Sequence, residues 1–122
     1  MTEEYTTIER YYSLKPTDFP ILERLEIQQS MTVDEVSPPE LRLEIKLRPR
    51  GRTDHRRLFL SFLGVRELQL RQPSWSEVQF TFLEINSTQT QQWENLRYKV
   101  KESEEDSLSF FCKRFHAAIK AD

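Results

Sequence analysis

The densest chemistry in this chain is the run Arg48-Pro49-Arg50-Gly51-Arg52-Thr53-Asp54-His55-Arg56-Arg57, which sets five arginines against one carboxylate. A guanidinium presents a planar fork of donors that fits a carboxylate or a phosphate through two parallel hydrogen bonds. At a hairpin tip such a run suits an acidic protein surface or a nucleic-acid backbone. The plainer alternative is a solvated turn whose arginines pair in part with the acidic residues at 102–106. Composition weighs against a general nucleic-acid binder. Lys+Arg is 18 and Asp+Glu is 20, a net charge of −2, whereas non-specific phosphate binders carry a basic excess. No aromatic residue interleaves with the arginines before Phe59, so stacking platforms are missing too. Arg48, Arg50, Arg52, Arg56 and Arg57 are therefore the partner-binding candidates, with another protein as first choice and nucleic acid as the alternative.

Other reactive residues point away from catalysis. The two histidines, His55 and His116, share no local ligand spacing that would indicate a metal. Cys112 is the single cysteine, so it forms no internal disulfide, and Phe110, Phe111 and Phe115 surround it in sequence. A thiol in such company is buried and inert. On a strand, Cys112 and His116 would stand roughly 13 Å apart, too far for a nucleophile and its base. Glu102, Glu104, Glu105 and Asp106 cluster in a turn, but general acid catalysis needs a carboxyl desolvated in a cleft. With only Gly51 and Gly64, no glycine-rich phosphate loop can be written. The expectation is a non-enzyme with no cofactor and no metal.

Period-2 alternation supplies the scaffold. Leu41, Leu43, Ile45 and Leu47 alternate with Arg42, Glu44 and Lys46, a strand with one buried and one wet face. A slip of one residue would bring three charges inside, so its register is fixed. Leu25 and Ile27 alternate with Arg24, Glu26 and Gln28 in an earlier strand. Residues 58–63 are apolar on both faces and belong mid-sheet or under the helix, with Gly64 marking a bulge or bend. Val65, Leu68 and Leu70 resume the pattern, then Val78, Phe80 and Phe82, with a bulge near 82–83 before Leu83 and Ile85. Leu96, Tyr98 and Val100 form the sixth strand, and Leu108, Phe110 and Cys112 the seventh, with His116 beyond it. Near the start, Thr6 followed by Glu9 suits a capping box, and Ile8, Tyr11 and Tyr12 share one helical face. That predicts a short helix at 7–14, docked on a sheet edge and stopped before Pro16.

The whole, residues 1–122, reads as a single mainly β domain. It has about seven strands in a largely antiparallel curved sheet, a sandwich or a partly open barrel, with a short N-terminal helix. Hydrophobic residues at 37% and charged residues at 31% suit a polar globular protein of 122 residues. No apolar run nears the ~18 residues a membrane helix needs, and the acidic Met1-Thr2-Glu3-Glu4 is no secretory signal. A cytoplasmic protein is expected. The lack of a large apolar patch on the alternating strands favours a monomer or weak dimer.

The series Leu60-Ser61-Phe62-Leu63-Gly64-Val65, Leu68-Gln69-Leu70, Tyr98-Lys99-Val100 and Ser109-Phe110-Phe111-Cys112 resembles small β-rich bacterial proteins of unassigned function. Some of those relatives are classed with immunity proteins of polymorphic toxin systems. The resemblance covers about half the chain, mostly at apolar strand positions. It implies a cytoplasmic, non-catalytic protein that acts by binding another protein, a toxin.

Overall fold

The computed structural model describes residues 5–30, 40–51, 53–71, 83–88, 97–102 and 108–121. Within them lie a helix, α1 (Ile8–Ser13), and eight strands. These are β1 (Ile21–Ser30), β2 (Glu40–Arg48), β3 (Arg56–Leu63), β4 (Arg66–Leu70), β5 (Leu83–Ser87), β6 (Tyr98–Glu102), β7 (Leu108–Cys112) and β8 (Arg114–Ala121). They form two antiparallel four-stranded sheets, ordered β1-β2-β3-β8 and β4-β7-β6-β5. The mainly β, antiparallel sandwich expected from the alternation is what forms.

Each inward row comes from the predicted alternation. On β2, Leu43, Ile45 and Leu47 are buried, and on β3 so are Leu58, Leu60 and Phe62. From the second sheet come Leu83, Ile85, Val100, Leu108, Phe110 and Cys112. Fully burying one such aliphatic or aromatic side chain contributes about 1.5–3 kcal/mol. Phe62 meets Phe110 edge-on across the layer gap at 4.8 Å, which ties β3 to β7. β3 sits in mid-sheet between β2 and β8, as its two apolar faces require.

Both sheets meet at one corner. β3 runs into β4 through Gly64, and β7 runs into β8 through Lys113. The Lys113 N–H donates to the Leu63 carbonyl at 3.0 Å, and the Val65 N–H donates to the Leu41 carbonyl at 3.0 Å. Gly64 takes φ +68, and a Cβ there would stand 2.7 Å from Cγ and Cδ of Lys113. The bend therefore needs glycine twice over, for its backbone and for the lysine stem lying on it. The Lys113 ammonium ends on Glu40 at 3.0 Å.

α1 closes the opposite side. Its cap is Thr7, whose side chain accepts the Arg10 N–H at 3.1 Å, one residue later than the Thr6–Glu9 pattern suggests. Thr6 is used elsewhere. Its N–H donates to the Phe115 carbonyl, and its hydroxyl accepts the Ala117 N–H, both at 2.9 Å, extending the edge of β8. Tyr11 is fully buried and its hydroxyl donates to the Leu83 carbonyl at 2.6 Å. The Ile85 N–H donates to the Tyr12 hydroxyl at 3.1 Å. The helix thus spans from the β8 edge of one sheet to the β5 edge of the other.

Three expectations need correction. β8 is a strand that the alternation did not single out, and His116 lies inside it rather than after the last strand. Leu70 is 52% exposed, because a register shift between Arg66 and Gln69, with Glu67 at φ 53, breaks the alternation on β4. Ile27 is likewise 46% exposed toward the end of β1, while Leu25 packs against the core. The strand expected around Val78, Phe80 and Phe82, the bulge at 82–83 and the Leu96 position lie outside the described residues.

Candidate functional site

The β2–β3 hairpin carries the arginine run, and its members differ sharply in what they touch. Arg48 ends β2 half-buried, and Arg50 is exposed. Arg52 lies outside the described residues. The guanidinium of Arg56 holds Asp54 bidentately, Nε to Oδ1 at 3.1 Å and Nη2 to Oδ2 at 2.9 Å, and the Arg56 N–H also donates to Oδ1 at 3.0 Å. Those hydrogen bonds and the adjacent positive charge pull the Asp54 carboxyl down to about 2. Behind the pair, Arg56 stacks over the Phe19 ring at 5.4 Å.

Arg57 is more enclosed, with a side chain 15% exposed. Its Nε donates to Glu23 at 3.1 Å, and its Nη1 donates to the carbonyls of Asp54 and Arg56. Glu23 sits where the β1–β2 register shifts between Leu22 and Arg24, a bulge that lets its carboxylate reach both Arg57 and Lys46, the latter at 3.0 Å. Burial alone would raise the Glu23 carboxyl, but the hydrogen bonds and charges of Lys46 and Arg57 hold it below the usual carboxylate range. Arg56 and Arg57 are therefore braced by carboxylates of their own hairpin and its neighbour strand. The partners seen among the described residues are Asp54 and Glu23. Glu102 is buried on β6, and the rest of that run is outside the described residues.

Below the hairpin, the outward face of the first sheet forms ordered rows. One row runs Arg24, Lys46, Phe59, Ala118 across β1, β2, β3 and β8. The next runs Glu26, Glu44, Ser61, His116, and the one beyond it Gln28, Arg42, Leu63, Arg114. Glu26 and Glu44 stand opposite each other, a repulsive arrangement that Arg24 and Arg42 relieve at 3.2 Å each. Short side chains at Ser61 and Ala118 leave the floor low, while Arg24, Lys46 and Lys120 stand around it. The result is a depression of about 330 Å³, with Phe59 among the residues that line it. The ammonium groups of Lys46 and Lys120 lie 5.5 and 5.7 Å from the Phe59 ring centroid. Tyr5 packs on His116 at 4.7 Å and under Arg114 at 4.9 Å.

Sequence reasoning found the hairpin but missed this face. Its signal was the second apolar face of 58–63, since Phe59 points outward where a wet strand would carry a polar residue. The remaining candidates fall where chemistry is poor. His55 is exposed in the hairpin, and Cys112 is fully buried, with burial pushing its thiol up to about 12. Among the described residues, no group of three His, Cys, Asp or Glu side chains is placed to hold a metal, and no helix is long and apolar enough to cross a membrane.

Comparison with known proteins gives one family. The model of the immunity protein PIM8 family matches residues 3–118. No curated protein and no solved structure matches.

Proposed function

From the premise that this chain belongs to the immunity protein PIM8 family, we propose that it neutralises a toxin protein by binding it, as a stoichiometric mask rather than a catalyst. The single observation that carries this reading beyond the family is the β2–β3 hairpin. Arg56 and Arg57 are fixed by Asp54 and Glu23, so their stems and the turn they brace are held in place. Arg50 is exposed in the same turn. Fixed charge at a rigid tip lowers the ordering cost of docking and steers an acidic partner. Arg48 adds to the same charge at the end of β2. A cytoplasmic site of action fits a protein that meets its toxin inside the producing cell.

Isothermal titration calorimetry of the chain against a catalytically silenced polymorphic toxin from the same cell tests the reading. A one-to-one complex is expected, and in stopped-flow mixing Arg50→Glu/Arg52→Glu should slow association at least tenfold at low salt. A wild-type chain that binds no such toxin, or that protects against the active toxin at far below one equivalent, overturns it.

A further inference from the structure

Resting on the toxin-binding reading, we propose that the contact surface is centred not on the hairpin tip but on the Phe59 depression, which receives an acidic side chain of the partner. The carboxylate would pair with the Lys120 ammonium, with its methylene stem on the Phe59 ring; the Lys46 ammonium on the same ring already holds Glu23 at 3.0 Å.

Charge decides the occupant. The outward face of the first sheet carries Arg24, Arg42, Lys46, Arg48 and Arg57 on its first three strands and Arg114 and Lys120 on β8, against Glu23, Glu26 and Glu44. The nearby Glu40 is engaged by Lys113 at the corner. Cations thus outnumber carboxylates here, although the chain as a whole is at −2. The excess is greatest on β8, where neither Lys120 nor Arg114 has a carboxylate partner among the described residues. Each instead lies over an aromatic ring, Lys120 over Phe59 and Arg114 over Tyr5. A cation parked on a ring face keeps its charge unneutralised and available to an incoming anion.

Shape agrees with charge. Ala118 lies beside Phe59 in the same row, so one flank of the ring is uncovered, and about 330 Å³ takes one or two side chains rather than a folded element. The carboxylates on the opposite flank, Glu26 and Glu44, already face Arg24 and Arg42, so they leave the β8 side as the anion-accepting end. A half-buried aromatic ring beside a charge without a carboxylate partner offers such a side chain both an apolar seat and an ionic contact.

The test titrates the silenced toxin into four forms of the full chain: wild type, Lys120→Glu, Ala118→Trp and, on the other sheet, Lys101→Glu. The expected result is at least a tenfold weaker complex for Lys120→Glu and Ala118→Trp, and no change for Lys101→Glu. If both face variants bind as wild type does while Arg50→Glu weakens the complex, the surface is elsewhere and toxin binding stands. If wild type does not bind, both readings fall. Lys120→Glu replaces one exposed side chain, so it remains decisive should Ala118→Trp fail to fold. A twelve-nucleotide single strand serves as competitor. Tighter binding of that strand than of toxin, lost in Lys120→Glu, would replace the acidic protein by nucleic acid and overturn the proposal.

Discussion

Single side chains carry distinct loads. Tyr11 is the clearest, because its buried hydroxyl satisfies the Leu83 carbonyl of an edge strand. Tyr11→Phe keeps the ring and orphans the carbonyl, and should cost about 1–3 kcal/mol, read as a lower urea midpoint with unchanged slope. Cys112 answers to a different measurement. With the thiol buried and its pKa raised to about 12, a maleimide at pH 8 should label it only as fast as the protein unfolds. Labelling of native protein at the rate of a free thiol would refute that burial. Asp54 and Glu23 set an acid limit on the hairpin. Both carboxyls are depressed in the folded chain, so the native state binds fewer protons than the unfolded one as pH falls. Their stabilisation is complete above the ordinary carboxylate range and is lost as pH drops through the folded values, near 2 for Asp54. Solvent screening keeps the effect small. Carboxyl chemical shifts followed through an acid titration should therefore show Asp54 ionised well below pH 4.

Elements show which parts of the fold are visible in sequence. β2 is legible because aliphatic residues occupy every second position and a register slip would bury charge. β3 and β7 are legible from their runs of apolar residues, which place Leu58, Leu60 and Phe62 on one and Leu108, Phe110 and Cys112 on the other inward. β8 alternates just as regularly, Phe115, Ala117 and Ile119 inward against Arg114, His116, Ala118 and Lys120 outward, but alanine has little β preference and blurs the contrast. That one omission hid the Phe59 site, since periodicity assigns a face to each residue and says nothing about which strand lies alongside. Thr6 was misread for a related reason. Its local spacing to Glu9 suits a cap, but the tertiary hydrogen bonds to β8 win. The arginine hairpin was legible as charge, and its bracing by Glu23 was not, because that contact depends on a bulge in another strand. Gly64 was legible as a bend, and its replacement tests the corner. Gly64→Ala must adopt φ +68 and displace the Lys113 stem, so a loss of about 1–3 kcal/mol is expected in chemical denaturation, where Gly51→Ala, with open space around it, should cost far less.

For the whole molecule, the long-range pairing of β3 with β8 governs how the chain folds. It joins residues about half a chain apart, and the loop must close before any of its contacts are gained. Stopped-flow refolding should therefore fall in the millisecond-to-second range, and a microsecond phase accounting for the full signal would contradict it. Inward substitutions at the layer interface should act globally: Phe62→Ala removes a ring that meets both Phe110 and Phe115 and should cost about 3–5 kcal/mol.

The tether made by Thr6, Tyr11 and Tyr12 has a further consequence for life at high concentration. It occupies the backbone margins of β8 and β5, which would otherwise offer ready templates to a stranger's strand. A chain trimmed to begin at residue 15 should keep most of its interior yet lace into oligomers on gel filtration. Six helical residues thereby do the work of keeping neighbours apart.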